Sequence, residues 1–301
     1  MQRRSDLTRD LALLVLLSTL WGASYTFIKI GVETIPPLTL IAARTLIAGL
    51  LLATIIRSRR LAWPRDPAIW RRFMIQAGFN SVVPFTLIAW AERTVEAGLA
   101  TILNATSPIF TFLLTALVTR HEPVTSRKLA GVAAGLVGTC LIVGVEALHG
   151  LGRELWAELA IVTATLCYAG AAIMGKSFKG LDPMLPAAGS LLSGAVVLIP
   201  LALVVDRPWT LAPSPRSLLA LAALATVSTA AAMVIYFRLL QTLGSVGATA
   251  QSYLRVPIGV AIAVAGLGER LAPTAWVGLA CIVLGVVAMT LPAREPQQPR
   301  R

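Results

Sequence analysis

The chain has 301 residues, 56% of them hydrophobic and only 13% charged, with a mean hydropathy of +0.78. Soluble domains carry about 25% charge, so an ordinary water-soluble globule is excluded. The formal net charge of +12 would suit nucleic acid, but the basic residues lie between apolar runs, where they act as topology signals, and no nucleic-acid partner is expected.

Those runs are about 20 residues long, which at ~1.5 Å per residue matches a hydrocarbon layer ~30 Å thick. Ten membrane helices are predicted, at 10–32, 37–56, 69–91, 96–119, 127–146, 155–177, 183–205, 216–240, 245–267 and 272–291. The first run is too long for a signal-peptide core and no cleavage site follows it, so it is expected to stay in the mature protein. It holds Trp21, near midplane, and Lys29 close to its end; the second holds Arg44, about one turn from midplane. Asn80, Ser81 and Pro84 interrupt the third. In the fourth, Ala97, Thr101, Asn104, Pro108, Thr111 and Thr115 form a stripe at helical spacing, which either lines a pore or joins helices by hydrogen bonds. Gly131, Gly135 and Gly138 in the fifth helix, with Gly278 and Gly285 in the tenth, suit close helix packing. Tyr168 lies near midplane in the sixth, and Arg238 near the end of the eighth; Arg238 and Lys29 read as interface anchors.

The ninth helix carries the deepest charge. Arg255 sits near its middle, where an arginine costs about 2.5 to 3.5 kcal/mol on insertion scales, so it must face protein or a watery cavity. Ala248, Gln251, Ser252, Arg255 and Gly259 share one small, polar face, whereas the equivalent first-half face is Leu99, Ile102, Leu103, Thr106 and Phe110. Two readings stand: Arg255 serves a cavity, or it binds the Tyr253 carbonyl freed by Pro257 and its neighbours. The fourteen acidic residues all fall in loops or at span ends, and neither His121 nor His149 lies in a span. A titratable relay at mid-depth is therefore missing. Cys140, Cys167 and Cys281 lie inside helices without paired spacing, so no disulfide, metal site or cofactor is expected.

With the N-terminus on the cytoplasmic side, seventeen basic residues fall there against five on the other face. Ten spans then bring the C-terminus to the same side. Reporter fusions at the two ends are expected to score both as cytoplasmic, and a periplasmic C-terminus would overturn the span count.

The halves repeat. Trp21, Gly22, Lys29 and Pro36 return 147 residues later as Tyr168, Ala169, Lys176 and Pro183; Gly98 and Pro108 return after 149 as Gly247 and Pro257; Glu122, Gly131 and Gly138 return after 147 as Glu269, Gly278 and Gly285. Five helices is an odd number, so the second copy must enter from the opposite face, as an inverted repeat. The expected organisation is a first repeat at 10–146, a second at 155–291, and cytoplasmic tails at 1–9 and 292–301.

Trp21-Gly22-Ala23-Ser24 ahead of Lys29, then Pro36 and Arg44, resembles the opening of EamA-type members of the drug/metabolite transporter superfamily. Tyr236-Phe237-Arg238 through Pro257 to Gly268-Glu269-Arg270-Leu271, with Gly278 and Gly285, resembles the close of the second EamA repeat. The resemblance implies an all-α, ten-helix inner-membrane carrier with a small-molecule substrate and a lipid surround, similar in character to YddG-type amino-acid exporters. The superfamily's small multidrug carriers need a central glutamate, which this chain lacks. The expected binding residues are Arg255, Gln251, Ser252, Asn104, Thr101, Asn80, Trp21 and Tyr168. Arg255 would take a carboxylate, Asn104 or nearby carbonyls an ammonium, and Trp21 with Tyr168 a side chain; Arg44 is a second carboxylate candidate, although packing or snorkelling is the favoured reading for it. Efflux of apolar drugs or nucleotide-like solutes is the alternative transport reading. An intramembrane enzyme finds no HExxH, GxSxG or GxGD motif to support it, so no catalytic residue is expected. A structural scaffold would not require the repeats.

Overall fold

The computed structural model describes residues 2–91, 94–95, 97–119, 125–258 and 273–291, and among them every regular element is helical. The first half runs α1 (Gln2–Gly31), α2 (Pro37–Ser58), α3 (Pro67–Ala77), a π-turn at Gly78–Val82, α4 (Val83–Ala91), α5 (Ala97–Asn104), α6 (Ser107–Leu114) and α7 (Ser126–Val143). The second runs α8 (Leu155–Gly175), α9 (Met184–Val205), α10 (Pro215–Ala225), a π-turn at Thr226–Ala231, α11 (Ala232–Thr242), α12 (Gly244–Thr249), α13 (251–258) and α14 (Pro273–Thr290). Helix starts follow local chemistry: Asp66, Thr125 and Ser214 accept the backbone N–H groups of Ala68, Lys128 and Ser217, opening α3, α7 and α10.

Four expected single helices are interrupted. Pro84 has no N–H to offer the Asn80 carbonyl, and the third span passes through its π-turn at that point. The second π-turn begins 148 residues after the first and needs no proline; there the Thr229 hydroxyl donates to the Leu224 carbonyl, five residues back, at 2.7 Å. The fourth span divides at Ala105–Thr106, where the Thr106 hydroxyl donates to the Leu103 carbonyl at 2.6 Å ahead of Pro108. The ninth divides at Ala250, and its part beyond 258, including Gly259, lies outside the described residues. The polar stripe of the fourth span is split accordingly: Asn104 lines a cavity, while Thr111 and Thr115 are buried.

Among the described residues seven helical stretches are long and apolar enough to cross a membrane: Leu7–Ser24, Pro37–Ser58, Ser126–Val143, Leu155–Phe178, Met184–Val205, Pro215–Thr242 and Pro273–Thr290. Ile102–Val118 is a shorter apolar stretch. Large apolar side chains stand on the outer surface, including Val118, Val196, Leu219 and Leu284, each at least 66% exposed. A lipid surround makes such exposure favourable.

The helices of the two halves interlock. A Cβ on Gly131 would meet the Gly285 carbonyl at 2.7 Å, and one on Gly138 would meet the Gly278 carbonyl at 2.5 Å, so α7 and α14 are antiparallel at backbone contact. Gly131 and Gly278 are repeat mates, as are Gly138 and Gly285; each glycine packs on the mate of the other. α2 and α9 are likewise antiparallel neighbours, with Leu192 against Gly49 and the Asp206 carboxylate accepting from the Thr39 N–H (2.7 Å) and hydroxyl (2.9 Å). Asp206 thus caps the start of α2, which opens on Pro36 and has no side-chain cap of its own.

Candidate functional site

One face of α1 runs through Asp10, Leu14, Leu17, Trp21, Ser24 and Ile28 and continues to Val32 just past the helix end. Its lower part is shut: Leu14 and Leu17 have no exposure, and Asp10 is buried 4.0 Å from the Arg238 guanidinium of α11. From Trp21 to Val32 the same face lines a cavity of about 340 Å³, at the small end of ligand pockets. The cavity reaches exposed Val32 and Pro37 at the α1–α2 connection, whereas Phe237 and Leu240, which follow the lining residue Tyr236 on α11, are fully buried. Arg238 therefore pairs with a buried carboxylate and is more than an interface anchor.

Arg255, on α13, lines this cavity with its guanidinium over the Trp21 ring, 4.9 Å from the centroid. Its Nε donates to the Gln251 Oε1 at 2.7 Å, and the Gln251 amide in turn donates to the Ser252 hydroxyl at 3.0 Å. The hydrogen bond that fixes Arg255 thus goes to a side chain one turn back. The Trp21 ring also packs on Tyr236 of α11, centroids 5.3 Å apart.

In the same lining Arg44 of α2 is only 5% exposed, with its guanidinium 4.5 Å over the Phe85 ring of α4 and no hydrogen-bond partner for Nε among the described residues. Phe85 packs on Tyr168 of α8 at 6.5 Å. Asn80, in the first π-turn, donates its amide to the Met233 sulfur at 3.4 Å and is buried. Asn104 lines the same space.

Arg255, Gln251, Ser252, Asn104, Asn80, Trp21 and Tyr168 are thus brought to one cavity. Thr101 belongs to α5, and its side chain lies outside the described residues, as does that of Lys29. Trp21 and Tyr168 sit in different ring pairs rather than forming one stack. Sequence reasoning missed Phe85, Met233 and Tyr236. Tyr236 lies within a quoted motif, but nothing in that motif places it beside Trp21. The cavity's described lining holds two arginines and no aspartate, glutamate or histidine; no cluster of His, Cys, Asp and Glu that could hold a metal occurs among the described residues.

A largely apolar and aromatic cavity that holds two arginines and is lined by helices from both halves of a multi-helix apolar fold is an arrangement that suits a membrane carrier. The EamA-like transporter family model matches residues 9–144 and again residues 155–291, and the chain belongs to that family. It is 28% identical to an uncharacterized inner membrane transporter, YedA, of Escherichia coli strain K12 over 274 residues, 90% of this chain and 87% of that one. It is 26% identical over 277 residues, 91% of each chain, to a protein of Streptantibioticus cattleyicolor named "probable terminal-alkyne amino-acid exporter". A solved crystal structure aligns with a TM-score of 0.78 at 17% identity, over 95% of this chain and 99% of the other, a likeness of fold alone. The chain is a multi-pass membrane transporter.

Proposed function

We propose that the chain exports amino acids or similarly sized carboxylates across the inner (plasma) membrane, by alternating access between two inverted five-helix repeats, with both termini cytoplasmic. The observation that carries this reading is the hydrogen-bonded series Arg255, Gln251 and Ser252 at a cavity lined by both repeats. In this reading Arg255 takes the carboxylate, Asn104 receives the ammonium, Asn80 and Thr101 complete the polar wall, and Trp21 and Tyr168 contact the side chain from separate walls. The reciprocal glycine pairing of α7 with α14 supports inversion, because exchanging mates across an antiparallel pair is what a two-fold axis in the membrane plane produces. The amino-acid exporter among the relatives supports the substrate class. Efflux of a panel of labelled amino acids from proteoliposomes tests it; release of apolar drugs with no amino-acid flux would reject it.

Transport is expected to proceed without obligatory proton coupling, since the described cavity lining offers no carboxylate or histidine to carry the proton. Substrate-loaded proteoliposomes are expected to release their load with no pH gradient. Strict dependence on an imposed gradient, or stoichiometric proton countermovement, would contradict this.

A further inference from the structure

The two arginines of the cavity form a matched pair of sites. Arg255 of α13 lies over Trp21, which packs on Tyr236; Arg44 of α2 lies over Phe85, which packs on Tyr168. Trp21 and Tyr168 are repeat mates, and the α4 and α11 rings follow equivalent π-turns. The guanidiniums break the symmetry: the mate of Arg44 is Leu191, itself in the cavity wall, and the equivalent of Arg255 is Thr106. Each two-ring box therefore receives a cation from a different part of the fold.

Two guanidiniums share this space with no acidic side chain in its described lining. Arg255 has Gln251 for Nε, whereas Arg44 is 95% buried with Nε unpartnered among the described residues. A ring face offsets only part of the desolvation cost of a buried cation. A substrate with one carboxylate can neutralise one guanidinium, and an ammonium beside the other would meet like charge. A substrate with an anionic group at each end neutralises both.

We propose that the cavity selects small organic acids with two anionic groups, acidic amino acids among them, with Arg255 and Arg44 each binding one carboxylate. This rests on the reading of the cavity as the carboxylate site and narrows its substrate class. The probes are succinate and L-aspartate, each paired with the analogue in which one carboxylate is an amide, succinamate and L-asparagine. In proteoliposomes holding the full chain, the diacids are expected to be transported with at least ~tenfold lower half-saturation than their amides, the size of a lost charge-assisted bond. Arg44→Gln is expected to narrow that ratio to about twofold, and Arg44→Lys to retain most of it. Equal handling of diacid and amide by the parent protein, or an equal weakening of all four probes by Arg44→Gln, overturns the proposal. Flux of monocarboxylic amino acids without preference for diacids would reject it and leave the exporter reading standing; flux of uncharged solutes alone would reject both. Should Arg44→Gln fail to reach the membrane, thermal stabilisation of the detergent-solubilised parent decides: succinate stabilising at concentrations below succinamate supports the proposal, and equal stabilisation overturns it.

Discussion

Gly138→Leu is expected to abolish or severely weaken folding of the α7–α14 pair. A Cβ at this position would sit 2.5 Å from the Gly278 carbonyl oxygen and 2.8 Å from Ile282 Cγ1, so the first carbon alone requires the helices to separate. The obstacle is largely backbone, which cannot turn aside as a flexible side chain does. Overpacking typically costs about 1 to 3 kcal/mol, and a branched side chain pressed on a carbonyl belongs at or above the top of that range. The same argument applies to Gly285→Leu, where the Cβ would meet the Gly131 carbonyl at 2.6 Å. Gly22 is the control, because a Cβ there meets nothing within 4 Å; Gly22→Ala, inside α1, is expected to leave the protein at least as stable as the parent, with a gain of up to about 1 kcal/mol. Size-exclusion profiles and thermal melts of the detergent-solubilised variants provide the measurement. A Gly138→Leu variant as stable as the parent would show that the two helices do not approach so closely.

Arg255→Gln is expected to weaken carboxylate binding by roughly tenfold to a hundredfold, the equivalent of a lost charge-assisted hydrogen bond worth about 1.5 to 3 kcal/mol. Glutamine keeps hydrogen-bonding capacity but removes the charge and the contact over Trp21. An amidated substrate is expected to lose much less. Equal weakening toward carboxylated and amidated substrates would make Arg255 a structural partner of Trp21 and Gln251 instead. Arg255→Lys, measured beside it, separates charge from shape: lysine retains the positive charge but not the planar fork that bonds Gln251. If Arg255→Gln is lost from the membrane while Arg255→Lys inserts and binds, charge within the fold is the requirement.

Much of the architecture is legible before any fold is drawn. Apolar runs of bilayer length, basic residues between them and anchors returning after 147 residues follow from chain composition and duplication alone. Arg255 could be singled out because a charge at mid-depth must be accommodated, and Gln251 and Ser252 follow from helical spacing on the same segment. The glycines of α7 and α14 were readable as packing residues because adding a Cβ limits how closely backbones can approach.

Local pattern also had clear limits. Pro84 marked the third span as interrupted, but nothing in the residues 226–231 announces the matching π-turn. The partners of Arg255 and Arg44 were invisible for a different reason. When lipid and protein interior are both apolar, helical periodicity no longer distinguishes the face turned to the bundle from the face turned outward. Arg44 therefore read better for packing or snorkelling than for a cavity. Only the antiparallel seating of α2 against α9, with α4 and α8 closing the wall, puts it over Phe85 and into the same space as Arg255. The chain by itself determined the solvent, the repeat and the one charge that had to be inside; tertiary structure decided which rings, and which second arginine, that charge would face, because those neighbours come from helices far apart in sequence and are selected by packing.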